Sequence, residues 1–171
     1  VEPVYVGPKV VRTDPLTHIV NPTAESYANT PKISRYVKSL GELIDDYEFK
    51  NDALQYDGEV IQHLQGVRRG MQHYNQNDVD RAVGYQIEGF GSYHAYITSG
   101  YVELLEFEGD LYNPQTGELQ RNRLITVVDR QWILRNVANP SWLPDGNRCS
   151  VTWRDRPDNI IGMGPLDNLV G

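Results

Sequence analysis

The period of polar and apolar positions changes along the chain, and each change marks a different kind of structure. Residues 1–32 show no period. Val4, Tyr5, Val6, Val10, Val11, Leu16, Ile19 and Val20 are scattered among Pro3, Pro8, Pro15, Pro22 and Pro31. Proline fixes φ and lacks an N–H, so this stretch predicts neither a helix nor a central strand. Its apolar side chains still need burial, either on the chain's own core or on a neighbouring subunit. The far end repeats the style after Pro157, through Ile160, Ile161, Met163, Leu166, Leu169 and Val170.

Between these ends the period is first helical. Ile33, Tyr36, Val37, Leu40, Leu43, Ile44 and Tyr47 follow spacings of three and four, which predicts an amphipathic helix to about Phe49. Thr30 is the expected cap and Pro31 the first helical residue. Arg35, Lys38, Glu42, Asp45 and Glu48 form its solvated face. Asp45 and Asp46 point about 100° apart on such a helix and do not converge on one atom. A second periodic stretch holds Val60, Ile61, Leu64, Val67, Met71 and Tyr74. Gly66 and Gly70, four apart, share one side of it and predict close approach of another element. His63 and His73 are too far apart for a helical metal pair, and no metal site is expected.

From residue 83 the period is two. Val83, Tyr85 and Ile87 alternate with polar residues, Gly89-Phe90-Gly91 marks a bend, and Tyr93, Ala95 and Ile97 alternate again. Tyr101 to Tyr112 reads as a strand with Val102 and Leu104 on one face and Leu105 and Phe107 on the other. Asn113-Pro114-Gln115-Thr116-Gly117 is a turn, and Leu119 to Leu134 returns as the second arm of a hairpin. Apolar residues on both faces predict a sheet covered on both sides. Ser150 to Arg154 is expected as the last strand.

The expected fold is therefore α+β: two N-terminal helices on a curved, mostly antiparallel sheet, with extended arms at both ends. The expected divisions are a proline-rich arm at 1–30, the domain at 31–156 and a C-terminal arm at 157–171.

Composition narrows the function classes. The 171 residues carry 16 Lys and Arg against 23 Asp and Glu, a net charge of −7, which speaks against a nucleic-acid binder. No apolar run reaches the roughly 18 residues of a membrane helix. The one cysteine, Cys149, excludes an internal disulfide and a cysteine zinc site, and no cofactor motif is present. Tyr is abundant, 11 residues against 3 Phe, which suits interfaces and half-wet pockets alike.

The order of helices then sheet resembles the NTF2-like, cone-shaped folds. The stretch Val127-Val128-Asp129-Arg130-Gln131-Trp132, running on through Asn139-Pro140-Ser141-Trp142, is similar to a late strand of the Tim44-like branch. The resemblance would cover about residues 33–142; the long 101–134 hairpin and both arms depart from it. It implies two alternatives. An NTF2-like dehydratase, isomerase or ligand binder would place His94 as general base inside the sheet, with Asp129 and with Tyr96 or Tyr85 as hydrogen-bond donors. A Tim44-like role would make the chain a mitochondrial protein docked peripherally on a membrane complex; its start at Val1 fits removal of a targeting peptide or a trimmed chain equally. The residues taken alone favour a non-catalytic structural or adaptor subunit bound to other protein subunits. Its expected anchors are Tyr5, Trp142, Trp153, Ile160 and Ile161.

Overall fold

The structure, a computed structural model, describes residues 13, 17–28, 30–69, 99–141, 148, 150–151, 154–157 and 159–163. Seven strands and two helices lie among them: β1 (His18–Val20), β2 (Lys32–Ser39), α1 (Leu40–Leu54), α2 (Gly58–Arg69), β3 (Tyr101–Asn113), β4 (Glu118–Val128), β5 (Trp132–Ala138), β6 (Arg154–Arg156) and β7 (Asn159–Met163). The first five strands form one sheet in the order β1-β2-β3-β4-β5, and β6 pairs with β7 in a second. Every pairing is antiparallel. The class is α+β.

The helix expected from residue 31 begins at Leu40 instead. Residues 32–39 are strand β2, paired along their whole length with β3 from Lys32↔Glu108 to Ser39↔Tyr101. Ile33 and Val37 also alternate with Ser34 and Tyr36, and β-branched residues favour the extended chain. The cap is Ser39 rather than Thr30. Its hydroxyl accepts from the Glu42 N–H at 3.2 Å while the Glu42 carboxylate accepts from the Ser39 N–H at 2.8 Å, a reciprocal capping box. The helix then runs past Phe49 to Leu54 and ends on Gln55 in the left-handed region, φ 54°.

The second helix forms as α2. Among the described residues outside its own helix, no heavy atom lies within 4 Å of where a Cβ on Gly66 would sit; Gly70, Met71, His73 and Tyr74 lie outside the described residues. The 101–134 hairpin forms, but its return arm is broken into β4 and β5. Gln131 donates its N–H to Val128 O at 3.0 Å, with Asp129 and Arg130 at φ 49° and 59° inside that turn. The last strand is displaced: Ser150 and Val151 are outside any strand, Val151 is 91% exposed, and β6 starts at Arg154. The expected strands at 83–87 and 93–97 lie outside the described residues.

Parts of both end segments are folded onto the chain. β1 adds an edge strand to β2, and the Ile160 N–H in β7 donates to Pro22 O at 3.0 Å. The core joins Leu43, Tyr56, Ile61 and Leu64 of the helices and their connection to Val102, Leu104, Val128 and Leu134 of the sheet. Both helices thus lie on one face of the sheet, burying the alternate residues that point that way.

Candidate functional site

The strand registers sort the sheet residues into rows that cross it, and the rows give the two faces different chemistry. Nearest the helices, Tyr36, Leu104, Val128 and Trp132 make an apolar row on the helix face. The next row on that face is polar from edge to edge: His18, Ser34, Glu106, Thr126 and Arg135. Ser34, Thr126 and Arg135 are buried in it. Burial of such groups is tolerated only when they are bonded, and here they are. Arg135 donates to Glu106 at 2.8 Å and to Thr126 Oγ1 at 3.1 Å. Arg148, arriving from the C-terminal side, donates to Ser34 and, at 2.7 Å, to the other Glu106 oxygen. Asn139 donates to Glu108 at 3.1 Å. Tyr27 Oη and Ser34 Oγ lie 2.7 and 2.9 Å from the two ring nitrogens of His18. Burial, then the charges of Arg148 and Lys32, hold the His18 pKa below its ordinary value. Burial and the nearby Glu106 carboxylate push the Tyr36 phenol upward. Glu106 is gripped by two guanidinium groups, so it is a clamp for residue 148 rather than a base waiting for a substrate.

The opposite face is largely apolar in its two central rows. One row runs Ile19, Ile33, Phe107 and Ile125 and ends on Asn136, and the next runs Leu105, Val127 and Ile133 behind Arg35. Ile19 is 58% exposed, Ile133 55% and Val37 38%. These three lie on three strands and in three different rows, while Ile125 on the same face is buried and Ile33, Leu105, Phe107 and Val127 are half-buried. At the helix-proximal end sits Glu103, fully buried, with Arg35 Nε at 2.5 Å and Arg130 Nε and Nη2 both at 2.8 Å. Burial alone would raise its pKa; the hydrogen bonds and charges of Arg130 and Arg35 outweigh it and hold the carboxyl below its ordinary value. Glu103 also accepts the Asp129 N–H on its backbone carbonyl at 3.0 Å, which fixes the tight turn. The charges that reach solvent on this face are guanidiniums: Arg130 is 47% exposed and Arg35 22%, and Arg123 at the far end donates to Asn136.

The sequence-derived site residues fall as follows. Asp129 is buried in the β4–β5 turn, beside Glu103 and Arg130. His94, Tyr96 and Tyr85 lie outside the described residues, as do Tyr5, Trp142, Trp153 and Cys149. Ile161 lies in β7. Ile160, next to it, lines a cavity of about 550 Å³ between residues 22–27 and the β6–β7 pair, together with Pro22, Glu25, Tyr27 and Arg156. The Glu103 and Glu106 clusters were not foreseen. Their signal was present: three glutamates, 103, 106 and 108, interrupt an apolar strand, and charges there must find partners.

Among the described residues no group of three or more His, Cys, Asp or Glu is placed to hold a metal ion, and no helix is long and apolar enough to cross a membrane. No protein-family model, curated protein or solved structure matches the chain.

Proposed function

We propose that this chain is a non-catalytic structural or adaptor subunit that docks on a protein partner through its apolar end segments and the exposed apolar residues of its sheet. The observation that supports this reading is that Ile19, Val37 and Ile133, on the sheet face away from the helices, stay exposed to solvent. The segments 1–30 and 157–171, with Tyr5 and Ile161, add contacts in this reading.

The test is sedimentation of the tagged full chain in extracts of its native cells. The wild type should travel well above its own mass, and Ile133→Asp should travel as the free chain. Ile133 is more than half exposed, so this change should cost the fold at most about 1 kcal/mol. A wild type that sediments as a free chain, or an Ile133→Asp variant that stays in the larger species, overturns the proposal.

A further inference from the structure

His18 sits where separate segments of the chain meet the sheet. It belongs to the edge strand β1, directly opposite Ser34 of β2. Its Nδ1 lies 2.9 Å from Ser34 Oγ and its Nε2 lies 2.7 Å from Tyr27 Oη. Arg148 donates to the same Ser34 oxygen, and its guanidinium also reaches Glu106 at 2.7 Å and Glu108 at 3.7 Å. One buried hydroxyl is thus shared by β1, β2 and the C-terminal segment. Tyr27 in turn lines the cleft that holds Ile160, whose N–H is bonded to Pro22 O. Two attachments of residues 148–163, at Arg148 and at Ile160, are therefore linked to one imidazole, the first through Ser34 and the second through Tyr27.

The surroundings of the ring suit its neutral form. Arg148 and Lys32 turn positive charge towards it, and Glu108 is the carboxylate that opposes them. Glu108 already answers Arg148 and Asn139, while Glu106 is held by Arg135 and Arg148. The groups at the two ring nitrogens are uncharged hydroxyls. A neutral imidazole donates from one nitrogen and accepts at the other, whereas the charged ring donates from both. Imidazolium and guanidinium would then converge on Ser34 Oγ, away from bulk water, where like charges repel strongly.

We infer that His18 is the acid-sensitive part of a latch: its protonation releases Arg148 from Ser34 and Glu106, and residues 148–163 come away while the sheet stays folded. Arg148 is the part that yields, because His18 and Ser34 are paired in the ladder and Arg148 belongs to no strand. The lowered pKa of the ring agrees with this placement.

The experiment is amide hydrogen exchange by NMR on the full chain, with rates corrected for the intrinsic effect of pH. The Ile160 N–H reports the attachment of β7 to Pro22, and amides of β3 and β4 report the sheet. In the wild type Ile160 should open at far lower cost than β3 and β4. Its opening should increase about fivefold or more from about pH 7.5 to about pH 5.5, with a ceiling of about tenfold set by one unit below the unperturbed 6.5. The His18 ring signals should titrate over the same range, which keeps the test decisive if a variant fails to fold. His18→Gln should open equally at both pH values. Arg148→Gln should be open at both, with β3 and β4 still protected. An Ile160 that ignores pH, that opens only together with β3 and β4, or that responds to acid outside the range of the His18 titration overturns the inference. So does a wild-type acid response that survives in His18→Gln or in Arg148→Gln.

Discussion

Stripping Glu103 of its two guanidiniums should be the most damaging change on the sheet face away from the helices. The carboxylate is fully buried and held by Arg35 and Arg130, at 2.5 Å and 2.8 Å. Removing one side of a buried pair typically costs about 3–5 kcal/mol, because the remaining charge stays desolvated. Arg35 and Arg130 are themselves partly wet, which places the double replacement Arg35→Met with Arg130→Met near the low end, about 3 kcal/mol. Glu103→Gln should cost less, about 1–2 kcal/mol, since the two arginines can turn towards water. The triple variant should then be more stable than the double. The pH dependence carries the same logic. In the wild type the folded-state pKa of Glu103 is lowered, so its contribution is present above the unfolded carboxylate value of about 4.3 and is lost as pH falls through the folded value. In the double variant Glu103 loses the Arg35 and Arg130 interactions that outweigh burial, and the folded pKa rises. Its penalty should be full at pH 7 and should shrink as Glu103 protonates towards pH 4. Urea unfolding followed by tryptophan fluorescence at both pH values reads all four proteins. A triple variant no more stable than the double, or a gap that is unchanged at pH 4, would refute the reasoning.

Ser39→Ala removes the reciprocal cap at the β2–α1 junction and should lower stability by about 1 kcal/mol in the same urea assay. Gly109 has φ +146°, and a Cβ there would lie 2.8 Å from the Pro31 Cα, a backbone atom that cannot step aside. Gly109→Ala should therefore cost about 2 kcal/mol or more, read as a lower denaturation midpoint. His18 is held neutral by burial and by Arg148 and Lys32, so its lowered pKa makes the fold lose stability as pH falls below the unfolded value of about 6.5. His18→Gln should remove that component of the decline between about pH 7 and 5, and an identical decline in both proteins would exclude His18 as its source.

The hairpin was legible because turn chemistry is local. Pro114 and Gly117 specify the turn on their own, and Gly117 takes up φ +72° as such a position demands. Residues 32–39 misled because Ile33, Tyr36, Val37 and Leu40 satisfy a helical spacing while Ile33 and Val37 equally satisfy a strand. What decides is the Ser39–Glu42 capping box, which states in sequence where the helix begins, together with the ladder to β3, which no local window contains. The ionic clusters were hidden for the same reason. Glu103 is answered from residues 35 and 130, and Glu106 from 135 and 148, so their pairing exists only after the sheet has assembled. A sheet covered on both sides was expected from the apolar pattern; on the second face Glu103 and Ile125 are buried, whereas Ile19, Val37 and Ile133 are exposed.

The strand order also sets a sequence of events in folding. β3, β4 and β5 are neighbours both in the chain and in the sheet, joined by turns of a few residues. β2 joins β3 only after residues 40–100 have been gathered into a closed loop. By the logarithmic rule for loop closure that costs about 2 kcal/mol more than closing the β3–β4 turn. The three-stranded meander is thus the first unit able to persist, and β1, β2 and the helices condense on it afterwards. A ribosome releasing this chain would expose the N-terminal strands and both helices well before the template that organises them exists, leaving the first half dependent on the second to acquire its shape.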